Sequence, residues 1–480
     1  MDSGKQSTGT EMNDHYAKLN SFFRSKFSSR KKLKQLFKNC YSRDLEKIFR
    51  FLVPENETIL EIGCSDGSLL HKLKPKEALG SYLVTDHVKM KETNKIKFQE
   101  SLPESIKTDK LFDYIIYYDS LGYINDIQES LLSIKKNCRK DTRVILTYHS
   151  YLWEPILALC EILGLKEKQP IKQNWLSSYD VENLLHIAGF DIVKKGERLL
   201  LPVYIPLVSA FLNKYVSQLP LIRKLCLSQY VVARPISKVQ KDYSVTVLIP
   251  ARNEAGNIEN AVIRTPDMGN HTEIIFVEGN STDNTKDEIK RVMEKYKHKD
   301  IKFLVQDGKG KGDAVRKGFD HAKGDVLMIL DADLTMPPED LPKFYDAIAS
   351  GKGEFVNGTR LVYPLEDQAM RFINLMGNKG FSLTFTWLLN QRLRDTLCGT
   401  KVLFRSDYEK IKANRSYFGD FDPFGDFDLL FGAAKQNLKI VEVPIRYGER
   451  KYGTTNISRF KHGWLLIKMC LFASRKMKFI

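Results

Sequence analysis

The chain has 480 residues, 42% hydrophobic and 28% charged, which excludes a disordered or fibrous polymer and predicts two domains of roughly 200 residues each. A formal net charge of +16 asks for an anionic partner, and with no zinc-finger spacing, aromatic–basic RNA signature or helix-turn-helix pattern that partner is not nucleic acid but phosphorylated substrate or membrane surface. The seven cysteines form no C-x-x-C pair, pointing to reduced thiols in the cytoplasm and away from disulfides or structural zinc.

Residues 1–30 read as a basic, partly disordered tail, with Met1 to Thr10 the least structured and no secretory signal. The first domain is expected over 31–235. Strands are predicted at Thr58–Ile62, Ser81–Thr85, Phe112–Tyr118 and Arg143–Thr147, with helices at Ser68–Lys74 and Ile127–Cys138. Continuous apolar strands separated by helices imply a parallel sheet covered on both faces. Between the first strand and its helix lies Glu61-Ile62-Gly63-Cys64-Ser65-Asp66-Gly67, whose glycines permit a tight turn close to a ligand. Asp86 ends the next predicted strand, where a carboxylate can hold ribose hydroxyls. Spacing alone leaves a dinucleotide and S-adenosylmethionine both open.

The E-x-G-x-x-x-G order, with Phe112–Ile116, Ser120–Ile124 and Ala188–Phe190, resembles the class I methyltransferases over Lys47 to Pro235. The resemblance implies S-adenosylmethionine held by Glu61, Gly63, Cys64, Gly67 and Asp86. Tyr123 stands where many relatives carry His, and no evident general base replaces it. Active methyl transfer, to a sugar hydroxyl or carboxylate, and a vestigial domain both stay open.

After a short polar linker at 236–242 the pattern restarts, and a second domain is expected over 243–480. Strands are predicted at Val245–Pro250, Glu273–Val277, Ile301–Val305 and Val326–Leu330, with a charged helix at Thr285–Lys297. Asp331-Ala332-Asp333 follows the last of these strands directly. Two carboxylates at a strand's carboxyl end, where α/β sheets bind ligands, suit Mg²⁺ or Mn²⁺ completed by substrate phosphates. Around this D-x-D motif come Pro250-Ala251-Arg252-Asn253-Glu254, Glu278 to Asp283, Asp307 to Ala314, Gly358-Thr359-Arg360, Asp395 to Lys401, and Arg450 to Thr455.

In this order the set resembles glycosyltransferase family 2, above all the polyprenyl-phosphate sugar transferases of the dolichol-phosphate mannosyltransferase type. The resemblance implies two Rossmann-like α/β domains, the first of class I methyltransferase fold and the second a GT-A domain, and an inverting transfer from a nucleotide-sugar donor. It implies that Pro250, Arg252, Asn253, Glu254, Glu278, Asp283, Lys311, Gly312, Asp331 and Ala332 bind the donor. Asp333, with Asp331, would hold the metal, and Arg450 and Arg360 would stabilise the diphosphate. Asp428 would be a general base toward a hydroxyl acceptor such as a glycan, or an orienting group toward a polyprenyl phosphate. The alternative is a non-catalytic nucleotide-sugar-binding scaffold at a membrane.

No stretch has the roughly 18 uncharged apolar residues a membrane-spanning helix needs. Leu199–Leu212 carries Pro202 and Pro206, Phe381–Leu389 is short, and Trp464–Ala473 is interrupted by Lys468 and flanked by lysines and arginine. The last of these, an apolar stripe beside lysines, suits a helix lying in the headgroup layer, and with 381–389 and the basic charge it leads to an expectation of peripheral association with the cytoplasmic face. Oligomeric state is not legible.

Overall fold

The computed structural model describes residues 14–19, 21, 32–82, 91–164, 171–236, 241–363, 372–417, 426–450, 452 and 459–480. The tail before residue 14, Asp86 and most of the 450–455 motif lie outside them. The chain divides into two compact units, Met1–Ile236 with Phe479–Ile480, and Ser237–Lys478.

In the first unit β1 (Thr58–Ile62), β2 (Glu77–Tyr82), β3 (Ile96–Glu100), β4 (Phe112–Tyr117), β5 (Cys138–His149), β6 (Phe190–Arg198) and β7 (Ser228–Pro235) form one sheet. Their order is β3-β2-β1-β4-β5-β7-β6. The first five run parallel, and β7 is antiparallel to both β5 and β6. Alternate residues of β1, β4 and β5 enter two separate cores, Leu60, Ile115 and Val144 on one face and Ile59, Ile116 and Ile145 on the other. Burial on both faces is why these strands read as unbroken apolar runs.

Several expected boundaries move, among them the start of β5, expected at Arg143 and found at Cys138. The strand predicted at 81–85 begins at Glu77, because its weak-looking centre, Gly80, lies under the Phe98 ring of β3, which a Cβ there would meet at 2.6 Å. The helix predicted to reach Cys138 stops at Ser133, and a 3₁₀ turn leads into β5 at Cys138. The Asn137 side chain ends that turn by donating to the carbonyls of Thr108 and Lys110.

The second unit has β8 (Ser244–Ala251), β9 (His271–Glu278), β10 (Asp300–Val305), β11 (Val326–Ile329), β12 (Phe355–Thr359), β13 (Lys401–Phe404) and β14 (Ile440–Pro444). The order is β10-β9-β8-β11-β13-β12-β14. The first four are parallel, and β13 enters antiparallel between β11 and β12. The loops after β8, β9 and β11 therefore emerge side by side at one sheet edge. The helix Lys311–His321 comes close to β8 at Gly318, where a Cβ would meet Leu248 at 2.1 Å. Both units have the α/β folds expected of them, a class I methyltransferase fold and a GT-A fold. The apolar stretches at 381–389 and 464–473 fall within the helices Phe372–Leu389 and Arg459–Met477, and no helix among the described residues is long and apolar enough to cross a membrane.

Candidate functional site

In the second unit the loops after β8 and β9 are stitched together. Asn253, at φ 57°, donates its backbone N–H to Ser281 Oγ (3.0 Å) and accepts from the Thr282 N–H (2.8 Å). The Glu254 N–H donates to Thr285 Oγ1 at 2.9 Å. Asp283 accepts the Thr285 N–H at 3.0 Å at the start of the helix Thr285–Lys295, and its other oxygen takes the Ala255 N–H. Against the burial that opposes it, the Thr285 bonds hold the Asp283 carboxyl below its ordinary value. Glu278 accepts the Ser281 N–H. The result is a fixed polar wall, with Pro250 half-buried in β8 and Arg252 exposed beside it.

Beyond β11, Leu330 still bonds Leu248 across the sheet, so Asp331 is the first residue clear of it. Its carboxylate meets Lys311 Nζ at 2.7 Å. Burial would raise that carboxyl, but Lys311, Lys401 and Arg360 together hold it low. Gly399 makes the room: a Cβ there would lie 1.9 Å from Asp331 Oδ2. Lys311 opens its helix, with Gly310 at φ 87° as the preceding residue and Gly312 buried in the first turn, so the N-terminal N–H groups are available to a phosphate beside the lysine.

Asp333 points to a different cation. Its Oδ1 accepts from Thr335 N (3.1 Å) and Oγ1 (2.8 Å), and its Oδ2 from Arg450 Nη2 at 2.6 Å. Arg450 Nη1 also donates to Glu254 Oε1 at 3.1 Å. Burial pushes Glu254 up to about 7 in spite of Arg450 and the Asn257 side chain. Asp331, Ala332 and Asp333 thus face two cations, Lys311 and Arg450, with Ala332 buried between them.

The other two catalytic candidates sit in separate clusters. Arg360 is engaged by Asp395, its Nε at 2.7 Å and Nη2 at 2.8 Å, over the Tyr447 ring. Asp395 is fully buried, takes further bonds from Asn378 and the Leu397 N–H, and is held at about 2 by Arg360 against burial. Asp428 accepts Arg415 Nε at 2.9 Å. Asp395, Gly399 and the buried Lys401, whose Nζ donates to the Cys398 carbonyl, were named from sequence as the Asp395 to Lys401 motif but given no role. Their signal was the D-x-x-x-G-T-K spacing.

In the first unit Gly63 and Gly67 have φ of 73° and 69°. A Cβ on Gly63 would strike Ser120 at 2.8 Å, and one on Gly67 the Phe98 ring at 2.4 Å. Glu61 is buried and pushed up to about 8 by that burial, with Cys64 opposing and Asp66 adding. The Cys64 thiol is raised as well, first by burial and then by Glu61. Glu61 Oε2, Asp119 Oδ1 and Ser120 Oγ are buried with no hydrogen-bond partner. They cluster at the carboxyl ends of the adjacent strands β1 and β4, and such acceptors suit the ammonium and hydroxyl groups of S-adenosylmethionine. Asp119, at φ 50°, also accepts from the Tyr41 hydroxyl, which lies 3.0 Å from His149 Nε2 at the end of β5. Asp119 and His149 therefore share the Tyr41 hydroxyl as a hydrogen-bond partner, from elements the sequence left unlinked. Burial, then Asp119, pushes Tyr123 up to about 12.

Residues 246–412 match the family model Glycosyl transferase family 2, and residues 30–195 match Methyltransferase domain. The chain joins a family 2 glycosyltransferase domain to a methyltransferase domain. The glycosyltransferase domain is 30% identical to dolichol-phosphate mannosyltransferase from Pyrococcus furiosus over 218 residues, 44% of this chain and 59% of that protein. It is 28% identical to glycosyltransferase AglJ from Haloferax volcanii over 46% of this chain and 69% of that one. The chain thus spans little more than half of the first of these. A solved structure of glucosyl-3-phosphoglycerate synthase from Mycobacterium tuberculosis, with Mn²⁺, uridine diphosphate and phosphoglyceric acid, aligns at 16% identity and a TM-score of 0.36, over 49% of this chain and 78% of that chain.

Proposed function

We propose that this chain is a membrane-peripheral enzyme that moves a sugar, with inversion, from a nucleotide-sugar donor to a polyprenyl phosphate. The observation that carries the reading is the pairing of Asp331 with Lys311 and of Asp333 with Arg450 at the end of β11. Four charged groups meet where a diphosphate would lie, and the two cations match its charge. Asn253, Glu254, Glu278 and Asp283 read base and ribose from the stitched loops, with Arg252 at the rim. Among the described residues no three His, Cys, Asp or Glu side chains converge on one point. Two hard carboxylates fit Mg²⁺ or Mn²⁺ as a half-site that the diphosphate completes. Bound there, the cation would neutralise charge on the leaving nucleoside diphosphate. Lys311 and Arg450 orient that diphosphate, and Arg360 acts through the field at Asp331. A phosphate acceptor is already ionised at neutral pH, so Asp428 orients it rather than deprotonating it. Relatives named for dolichol phosphate and for undecaprenyl phosphate support this acceptor class.

The methyltransferase domain binds S-adenosylmethionine through Glu61, Gly63, Gly67 and Ser120, with Asp86 and Cys64 alongside. The Tyr41–Asp119–His149 group favours turnover over a vestigial role. Labelled nucleotide sugars are supplied with Mn²⁺ and polyprenyl phosphate to test the sugar transfer. Label extracted into organic solvent is expected. Label only in the aqueous phase redirects the reading to a glycan acceptor, and none at all, with any donor, leaves a binding scaffold.

A further inference from the structure

Residues Val203 to Leu225 of the first unit are folded inside out. The buried positions in this segment are Ser209, Asn213, Ser217 and Gln218, all polar. They are satisfied internally: Ser209 Oγ donates to the Ile205 carbonyl at 2.7 Å, Asn213 bonds both the N–H and the carbonyl of Leu201 at 2.8 Å, and Ser217 donates to the Asn213 carbonyl. The exposed positions are apolar except Lys214 and Lys224. Leu207 is 88% exposed, Leu221 82% and Phe211 58%, against 3% for Ser209 and 8% for Asn213. On the helix Val208–Lys214 this reverses the pattern of a helix facing water. Leu207, which precedes it, holds φ 63°, a backbone strained for a branched side chain and kept here to leave that side chain outside.

The apolar face continues onto the helix Glu154–Ile162, where Leu159 and Ile162 are exposed. Trp153 Nε1 donates to the Leu225 carbonyl at 2.8 Å, and Leu157 packs with Leu199 and Leu227, locking the two segments together. Charge identifies what covers this face. Val203–Leu225 has no Asp or Glu, and its exposed charges are the cations Lys214 and Lys224, with Arg223 beside them paired to Glu197; the only acids on the two segments are Glu154 and Glu161, near the ends of the helix Glu154–Ile162. Apolar side chains beside lysines, on a segment too short to span, are the elements of a surface that sits at the headgroup boundary of an anionic bilayer, the lysines reaching the phosphates.

We infer that the first unit docks on an anionic lipid bilayer through Val203–Leu225 and the helix Glu154–Ile162. This rests on the reading of a membrane-peripheral enzyme and moves the main contact from the C-terminal helix to the methyltransferase domain. The test is co-sedimentation of the full chain with phosphatidylcholine vesicles, with and without phosphatidylglycerol, for wild type, F211E/L221E, K214A/K224A and Trp464→Glu on the C-terminal helix. Binding to the anionic vesicles is expected, with F211E/L221E weakened about tenfold or more at an unchanged melting temperature. K214A/K224A should lose the preference for phosphatidylglycerol, and Trp464→Glu should bind nearly as wild type. If F211E/L221E binds as wild type while Trp464→Glu does not, the inference falls and the membrane reading survives. If wild type binds no vesicle, both fall. If it instead forms an oligomer that F211E/L221E abolishes, the face belongs to a protein contact and the inference is wrong.

Discussion

Arg450 bonds two carboxylates that come from different strand ends, Asp333 and Glu254. A guanidinium can serve both because its donors lie in a fixed planar fork. Asp428 raises a question at the same scale, since its carboxylate is already held by Arg415 whether it orients or deprotonates. Its role can be separated by acceptor. With a polyprenyl phosphate, Asp428→Asn should lower kcat by less than about tenfold, because no proton has to be removed. With a hydroxyl acceptor, the same change should cost about 10²- to 10⁴-fold, the usual worth of a general base. Steady-state rates on the two acceptor classes distinguish them.

Glu61 offers a pH test. Its carboxyl stands near 8 in the folded unit against an ordinary 4.5. Between those values unfolding lets the group ionise, so stability falls as pH rises, and it is flat below the lower value and above the higher. The slope is about 1.4 kcal/mol per pH unit, or roughly 2–3 kcal/mol between about pH 6 and 8. The transition to follow is the one that S-adenosylmethionine raises, by urea denaturation at several pH values. Glu61→Gln should flatten the dependence, and an unchanged slope would mean another group carries it.

Among the elements, β1, β4, β8, β9 and β11 were legible because burial on both faces writes an unbroken apolar run. The antiparallel insertions were not. β7 pairs with β5 and β6, and β13 with β11 and β12, through backbone bonds that carry no side-chain signature. The site divides in the same way. Asp331 and Asp333 stood out as adjacent carboxylates after a strand, whereas their partners Lys311 and Arg450 are distant in sequence and only the fold pairs them. Asp395 was legible as the start of a motif but not in its role, because its work is done inside, holding Arg360, Asn378 and the Leu397 N–H so that the loop carrying Gly399 can pass Asp331. Asp395→Asn would leave the buried Arg360 guanidinium without its counter-charge. It should destabilise the second unit by about 3–5 kcal/mol, read by chemical denaturation, and weaken donor binding by loosening the Gly399 loop.

At the scale of the whole molecule, the net charge of +16 is apportioned among several demands. Lys311 and Arg450 face the two carboxylates at the end of β11, and Lys214 and Lys224 are exposed on the acid-free segment Val203–Leu225 of the first unit. The two units have separate cores: the residues of the glycosyltransferase core and those of the two methyltransferase cores do not overlap. Substitutions at distant sites with no shared partners act additively. Asp333 is bonded to Thr335 and Arg450, both in the second unit, while Glu61, Gly63 and Ser120 belong to the first. Asp333→Ala should therefore abolish sugar transfer and leave S-adenosylmethionine affinity unchanged, by calorimetric titration of the full chain. Loss of both activities together would mean that the methyltransferase site depends on the state of the other, and the assignment of each site to its own unit would have to be abandoned.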